Sequence, residues 1–179
     1  CPKGLNKETV APSAVPFSPM LATTFGTPRA LREDEIKDII QRFAAAAAVC
    51  EKAGFEGVQL HGAHGYLISQ FLSPLTNLRT DQWGGSIENR MRFLLEIYHA
   101  VRAATSDSFL IAVKLNSADF QRGGITEEDV IAVFKAIDAA GIDLIEVSGG
   151  TYEAPAMAGA KEEKRQASTI AREAYFLDF

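Results

Sequence analysis

Cysteine is nearly missing from this chain of 179 residues, which has only Cys1 and Cys50. One is terminal and the other falls in a helical pattern, so both read as reduced thiols and not as a disulfide framework. A basic excess is missing as well. The formal net charge is −5, which removes the electrostatic footprint for nucleic acid or an anionic membrane surface. No apolar run approaches the ~20 residues of a membrane span; Ala44 to Ala48 is a run of small helix-forming residues. The opening Cys1-Pro-Lys-Gly4 has no charged start followed by an apolar core, so nothing reads as a secretory signal, and a cytoplasmic location is expected. The missing initiator Met points to a processed chain or a piece of a longer one. Histidine is scarce too: His61, His64 and His99 are all there are.

Hydrophobic residues make up 47% of the chain, enough for one globular core. Residues 1 to 32 hold Pro2, Pro12, Pro16, Pro19 and Pro28 with no apolar period, and read as an irregular surface connection. From Glu33 a helical pattern takes over, with Ile36, Ile39, Ile40, Phe43, Ala47 and Cys50 on one stripe. Glu33, Asp34 and Glu35 suit its first turn and Gly54 its end, although Arg32 is a poor N-cap residue. A strand is expected at Gly57 to His61, a helical turn over residues 62 to 73, and a polar loop at Asn77 to Gly85. Ser86 then caps a helix over 87 to 104. A second strand runs from Phe109 to Leu115. Thr126 opens a helix that stops at Gly141, and a third strand covers Asp143 to Ser148. Ala154 to Ala167 reads as a loop with a solvated charge run at Lys161 to Arg165, and Ala171 to Phe179 as the start of another helix.

Strands alternating with helices make a parallel sheet through right-handed crossovers. Each strand here keeps its aliphatic residues on one face and its polar ones on the other. Ile111, Val113 and Leu115 oppose Ala112, Lys114 and Asn116; Ile145 and Val147 oppose Leu144, Glu146 and Ser148. A doubly wound sheet buries both faces and gives continuous apolar strands, whereas a (β/α)8 barrel packs aliphatics outward and admits polar groups near its mouth. The fold class expected is therefore α/β, a partial TIM (β/α)8 barrel. A complete barrel takes roughly 250 residues, so three strands amount to about three-eighths of one. Residues 1–179 are read as a single partial barrel domain, with 1–32 connecting and 33–179 carrying the βα units. The remainder is absent on both sides, and open strand edges favour self-association as a homo-oligomer.

The richest stretch is Gly57-Val-Gln-Leu-His-Gly-Ala-His-Gly-Tyr66, a strand running into a glycine-rich turn that carries His61, His64 and Tyr66. Strand ends are where such folds keep their chemistry. Two histidines in this setting are commonly structural hydrogen-bonders. A zinc site would need a third ligand, and a helix presenting histidines four apart; here the spacing is three, so no metal is expected. Gly149-Gly150 is too slight to be a dinucleotide fingerprint. Arg79, Asp81, Asn89 and Arg90 suit a structural clamp on the 77–85 loop, Trp83 an anchor for it, and His99 a surface or core position.

The segment from Ala53 to Pro74 resembles the Old Yellow Enzyme family of FMN-dependent ene-reductases and NAD(P)H:flavin oxidoreductases. So do Asn77 to Arg90 with Arg92-Phe93, Val113-Lys-Leu-Asn-Ser-Ala-Asp-Phe120, and Asp143-Leu-Ile-Glu-Val-Ser-Gly-Gly150. The resemblance places these segments on the fourth, fifth and sixth barrel strands. It implies FMN and NAD(P)H as cofactors and a small molecule, an enone or nitroalkene, as substrate. It also implies roles by position. His61 and His64 would hydrogen-bond the acceptor's oxygen, stabilising the negative charge that hydride addition creates there. Tyr66 would protonate the α-carbon as general acid. Lys114 would lie against the flavin N1/O2 edge as the cation that steadies the reduced ring, with Lys in place of the more usual Arg. Alternation puts Gln59 and Glu146 on the same inward face, and Glu146 is expected to pair with Lys114 across adjacent strands. Two other readings stay open: dienoyl-CoA reduction or amine dehydrogenation on the same barrel, and a non-catalytic fragment without flavin.

Overall fold

A computed structural model describes residues 8–151. The expected loop at 154–167, its charge run and the helix at 171–179 lie outside the described residues. The framework is three parallel strands, β3 (Gly57–Gly62), β4 (Leu110–Asn116) and β5 (Leu144–Ser148), paired in the order β3-β4-β5. Long helices connect and flank them: α2 (Glu33–Lys52), α4 (Ile87–Ala104) and α5 (Glu127–Ala140). The expected alternation and parallel pairing are both present.

The helices form where the local chemistry favours them. Arg32 indeed contributes no side-chain cap to α2. Glu35 supplies it instead, its carboxylate accepting the Arg32 backbone N–H at 2.8 Å and both ends of the Arg29 guanidinium at 2.8 Å. That arrangement pulls the Glu35 carboxyl down to about 2, Arg29 first and the Arg32 N–H second. Past the end of α2, Gly54 takes a left-handed φ of 90°, a conformation open to glycine at little cost. Thr126 caps α5 by accepting the Asp129 N–H, and Gly141 closes it. At Ser86 the N-cap position is as expected, but its side chain makes no cap bond.

Two sequence expectations need correction. Residues 62–73 are not one helical turn: Gly62 ends β3, α3 is only Leu67–Leu72, and 63–66 form the turn that displays the site. Glycines at 62 and 65 and the left-handed backbone of His64 hold that stretch out of a helix. The Pro-rich connection is also less irregular than expected. Among its described residues, β1 (Val10–Ala11) pairs in parallel with β2 (Arg29–Ala30), and α1 (Pro19–Ala22) is one helical turn. Such two-residue pairings are too short to leave an alternation in the sequence.

The core lies between the sheet and its helices. Ile111, Val113 and Leu115 of β4 are buried against Ile36 and Ile40 of α2 and Phe93, Leu94, Ile97 and Val101 of α4 in one apolar cluster. Each such side chain contributes roughly 1.5–3 kcal/mol by leaving water. Phe71 of α3 stacks on Phe93 of α4, ring centres 4.1 Å apart, tying the short helix after the site to the core. The opposite sheet face is open, with Leu110, Leu144, Gln59 and Glu146 exposed on it. This is the one-sided polarity that distinguishes a barrel wall from a sheet covered on both faces.

The loop between α3 and α4 is locked as expected. Asn77 Nδ2 donates to the carbonyls of Phe71 and Trp83, and Arg79 reaches the carbonyls of Pro12 and Leu31 and the Asp81 carboxylate. Arg90, buried, donates to the Leu72 and Gly85 carbonyls and pairs with Asp129 on α5 at 2.7 Å. Trp83 is buried as the anchor. Asn89 takes no part in the clamp and accepts only from Arg92 on its own helix. His99 is exposed.

Candidate active site

All four sequence-predicted site residues gather at the C-terminal end of the sheet. The register explains why. His61 on β3 is the partner of Lys114 on β4, and Lys114 is the partner of Glu146 on β5. One row across three strands thus carries an imidazole, an ammonium and a carboxylate. Strands can approach so closely where β3 ends because position 62 is glycine: a Cβ there would stand 2.9 Å from the Lys114 carbonyl and 2.8 Å from Leu115.

The turn then folds back over the row. The His61 ring lies 4.8 Å from that of Tyr66 and 5.3 Å from that of His64, the latter edge-on at 80°. His64 has a φ of 61°, a conformation that a residue with a side chain adopts only when its surroundings hold it there. Three contacts do so. Its backbone N–H donates to Asn116 Oδ1 at 3.2 Å. Its Nε2 shares a 2.7 Å hydrogen bond with Ser148 Oγ. Its backbone bridges to Thr151. Asn116 is itself buried and donates to the Gly150 carbonyl at 2.9 Å. Behind it, buried Asp119 accepts from Ser73 at 2.6 Å and from the Ile125 N–H at 3.1 Å.

The expected pair across β4 and β5 is present: Lys114 Nζ stands 2.7 Å from Glu146 Oε1. Gln59 Nε2 donates to the other Glu146 oxygen at 2.9 Å. The Glu146 carboxyl is held below its usual range by the Lys114 ammonium first and the Gln59 amide second. Both site histidines are pushed the same way by different causes. Burial lowers His61, followed by the charge of Lys114; burial lowers His64, followed by His61 and Lys114. Both shifts favour the neutral imidazole, which carries one N–H; in His64 the Nε2 is engaged with Ser148, which leaves Nδ1 facing outward from that bond. No other His, Cys, Asp or Glu joins them in a metal-ligating group among the described residues. The site thus presents neutral donors around an exposed phenol, with a cation alongside.

Residues 5–174 match the model of the NADH:flavin oxidoreductase / NADH oxidase family. The chain belongs to that family. It is 41% identical to the NADH-dependent flavin oxidoreductase nadA of Aspergillus parasiticus over 180 residues, 99% of this chain and 39% of that protein. It is 44% identical to an NADPH dehydrogenase of Clostridium acetobutylicum over 149 residues, 83% of this chain and 42% of that protein. The chain therefore spans well under half the length of these curated relatives. Among solved structures, 2-naphthoyl-CoA reductase in complex with 2-naphthoyl-CoA superposes with a TM-score of 0.77 at 37% identity, covering 84% of this chain and 23% of that one. The Old Yellow Enzyme homologue of Zymomonas mobilis superposes at 0.73 with 27% identity, covering 97% and 56%. The partial TIM barrel expected from strand polarity agrees with these neighbours.

Asn116 and Ser148 are the site residues whose roles were not foreseen. Alternation places both on the inward face, and that parity is the available signal. What it lacked was the position of His64 beyond the end of β3, where no strand register applies.

Proposed function

We propose that the full-length protein is an FMN-dependent oxidoreductase that uses NAD(P)H to reduce a small activated alkene, an enone or nitroalkene. The observation that carries this reading is the convergence of His61, His64 and Tyr66 on the sheet end that also carries Lys114. The donor set suits a flavin: Lys114 offers an ammonium on the open inward face, where an electron-rich ring edge would complement it. FMN, when bound and reduced, would supply the hydride. His61, and His64 through Nδ1 with the Ser148 hydroxyl donating to its Nε2, would bind and orient the acceptor's oxygen and stabilise the charge developing on it. Losing one donor of that kind costs about 3 kcal/mol of barrier. Tyr66 is exposed at the rim, within reach of solvent from which its phenol can be reprotonated after donating to the α-carbon. Asn116 and Ser148 would keep His64 in place.

The likeness to 2-naphthoyl-CoA reductase supports a second reading, in which the acceptor is conjugated to a thioester. The same two histidines would then hold the thioester carbonyl oxygen. The test is to purify the full-length protein, record its flavin absorption, and follow NAD(P)H consumption with a cyclic enone, a nitroalkene and an unsaturated acyl-CoA. Flavin absorption with alkene-dependent consumption is the expected result. A colourless protein, or a flavoprotein indifferent to all three acceptors, would overturn the proposal.

A further inference from the structure

The charge of Lys114 does not act alone. Glu146 Oε1 accepts from its ammonium at 2.7 Å, while Glu146 Oε2 accepts from Gln59 at 2.9 Å. Each of the three strands contributes one member. Lys114 and Glu146 are register partners, so the backbone itself keeps them adjacent. Gln59 sits in the row below, opposite Ala112, and reaches diagonally to fix the second carboxylate oxygen. Folding alone does not account for this arrangement. The Glu146 side chain is 45% exposed, and an ion pair so open to water adds little to the stability of the fold. Its effect falls on whatever binds the open inward face. An unpaired ammonium there would strongly favour added negative charge on a neighbouring ring, and a paired one favours it less.

We propose that Glu146, anchored by Gln59, is a positioning residue for Lys114 that holds the ammonium on the inner face and partly cancels its charge, giving the bound flavin a more negative potential. This rests on the flavin reading above and deepens it. An ammonium has three N–H donors. Glu146 engages one, which leaves two for the electron-rich edge of the ring while fixing where they point. A more negative potential increases the driving force for reducing the acceptor, which gains a hydride at one alkene carbon and a proton at the other. NAD(P)H restores the two electrons. The pair therefore fits acceptors that are hard to reduce, such as alkenes conjugated to a thioester or an aromatic ring.

The test is a reductive titration of the flavin-loaded full-length protein beside its Glu146→Gln variant. Removing the carboxylate charge raises the potential. The ratio of the dissociation constants for oxidised and reduced FMN should grow by about tenfold, the order of magnitude for one unit charge in a partly screened site. For a two-electron couple that is about 30 mV. Glu146→Asp keeps the charge and should stay near the parent value. Glu146→Ser removes the charge without adding bulk, and is read in the same way should the amide variant fail to fold. A potential that is unchanged or more negative in the variants lacking the charge overturns the proposal. A parent protein that binds no FMN overturns the flavin reading itself, and this inference with it.

Discussion

Replacing Asn116 by Ala should cost more than any other single change at the sheet end, and the structure says why. Its amide accepts from the His64 N–H at 3.2 Å and donates to the Gly150 carbonyl at 2.9 Å, with a longer 3.5 Å bond to Asp119 Oδ1. Alanine takes the partner from the His64 N–H and the Gly150 carbonyl at once, and the weaker donor from Asp119. The Gly150 carbonyl is in a buried residue and the His64 N–H in a half-buried one. A buried polar group left without a partner costs about 1–3 kcal/mol, and a typical hydrogen bond nets about 1. Together the loss comes to about 2–4 kcal/mol, or roughly thirtyfold to a thousandfold in the folding constant. The same change releases the backbone of His64 from its left-handed conformation, so the ring loses its fixed place. Urea unfolding followed by circular dichroism measures the first effect, and the KM for an alkene acceptor measures the second. Asn116→Asp sharpens the comparison: it keeps an acceptor for the His64 N–H, cannot donate to Gly150, and sets a second carboxylate near Asp119. It should rescue acceptor binding better than stability. An alanine variant that loses less than ~1 kcal/mol and keeps its KM would refute the claim that Asn116 holds the site.

Other positions give independent checks. Arg90→Met removes a buried cation that serves two carbonyls and Asp129. Breaking such a pair from one side costs about 3–5 kcal/mol, which denaturant unfolding would register as a lowered midpoint with an unchanged slope. Acid should reveal the cap of α2. The folded Glu35 carboxyl lies at about 2, below its ordinary 4.5, so its contribution is complete above the unfolded value. That contribution is lost as pH falls from about 4.5 towards 2. In Arg29→Ala the carboxyl loses its chief partner, and the fall in stability over that window should shrink. Thermal unfolding at a series of pH values measures it.

Much of the framework was legible in the chain because short-range physics wrote it there. Ile111, Val113 and Leu115 alternate with Ala112, Lys114 and Asn116, and that parity alone predicted which face meets the helices and which lines the barrel. Parity also foretold the Lys114–Glu146 pair, since parallel register sets residues of one face side by side. The limits are physical too. The β1–β2 pairing joins residues 19 apart through two-residue strands, too short to show a period. The hold on His64 depends on side chains 52 and 84 positions away, meeting at a turn whose left-handed backbone no propensity predicts. Glu35 caps α2 through the Arg32 N–H, and the Arg29 guanidinium, six residues earlier, adds two further bonds that no single-residue capping preference marks.

The central claim is that His61 and His64 grip the acceptor's oxygen. Steady-state and binding measurements on the full-length His61→Ala/His64→Ala variant test it most directly, with FMN content and circular dichroism as controls. The expected protein folds and carries its flavin as before, binds enone weakly, and turns it over at least a hundredfold more slowly, from about 3 kcal/mol per lost donor. Enone binding and turnover equal to those of the parent protein would contradict it.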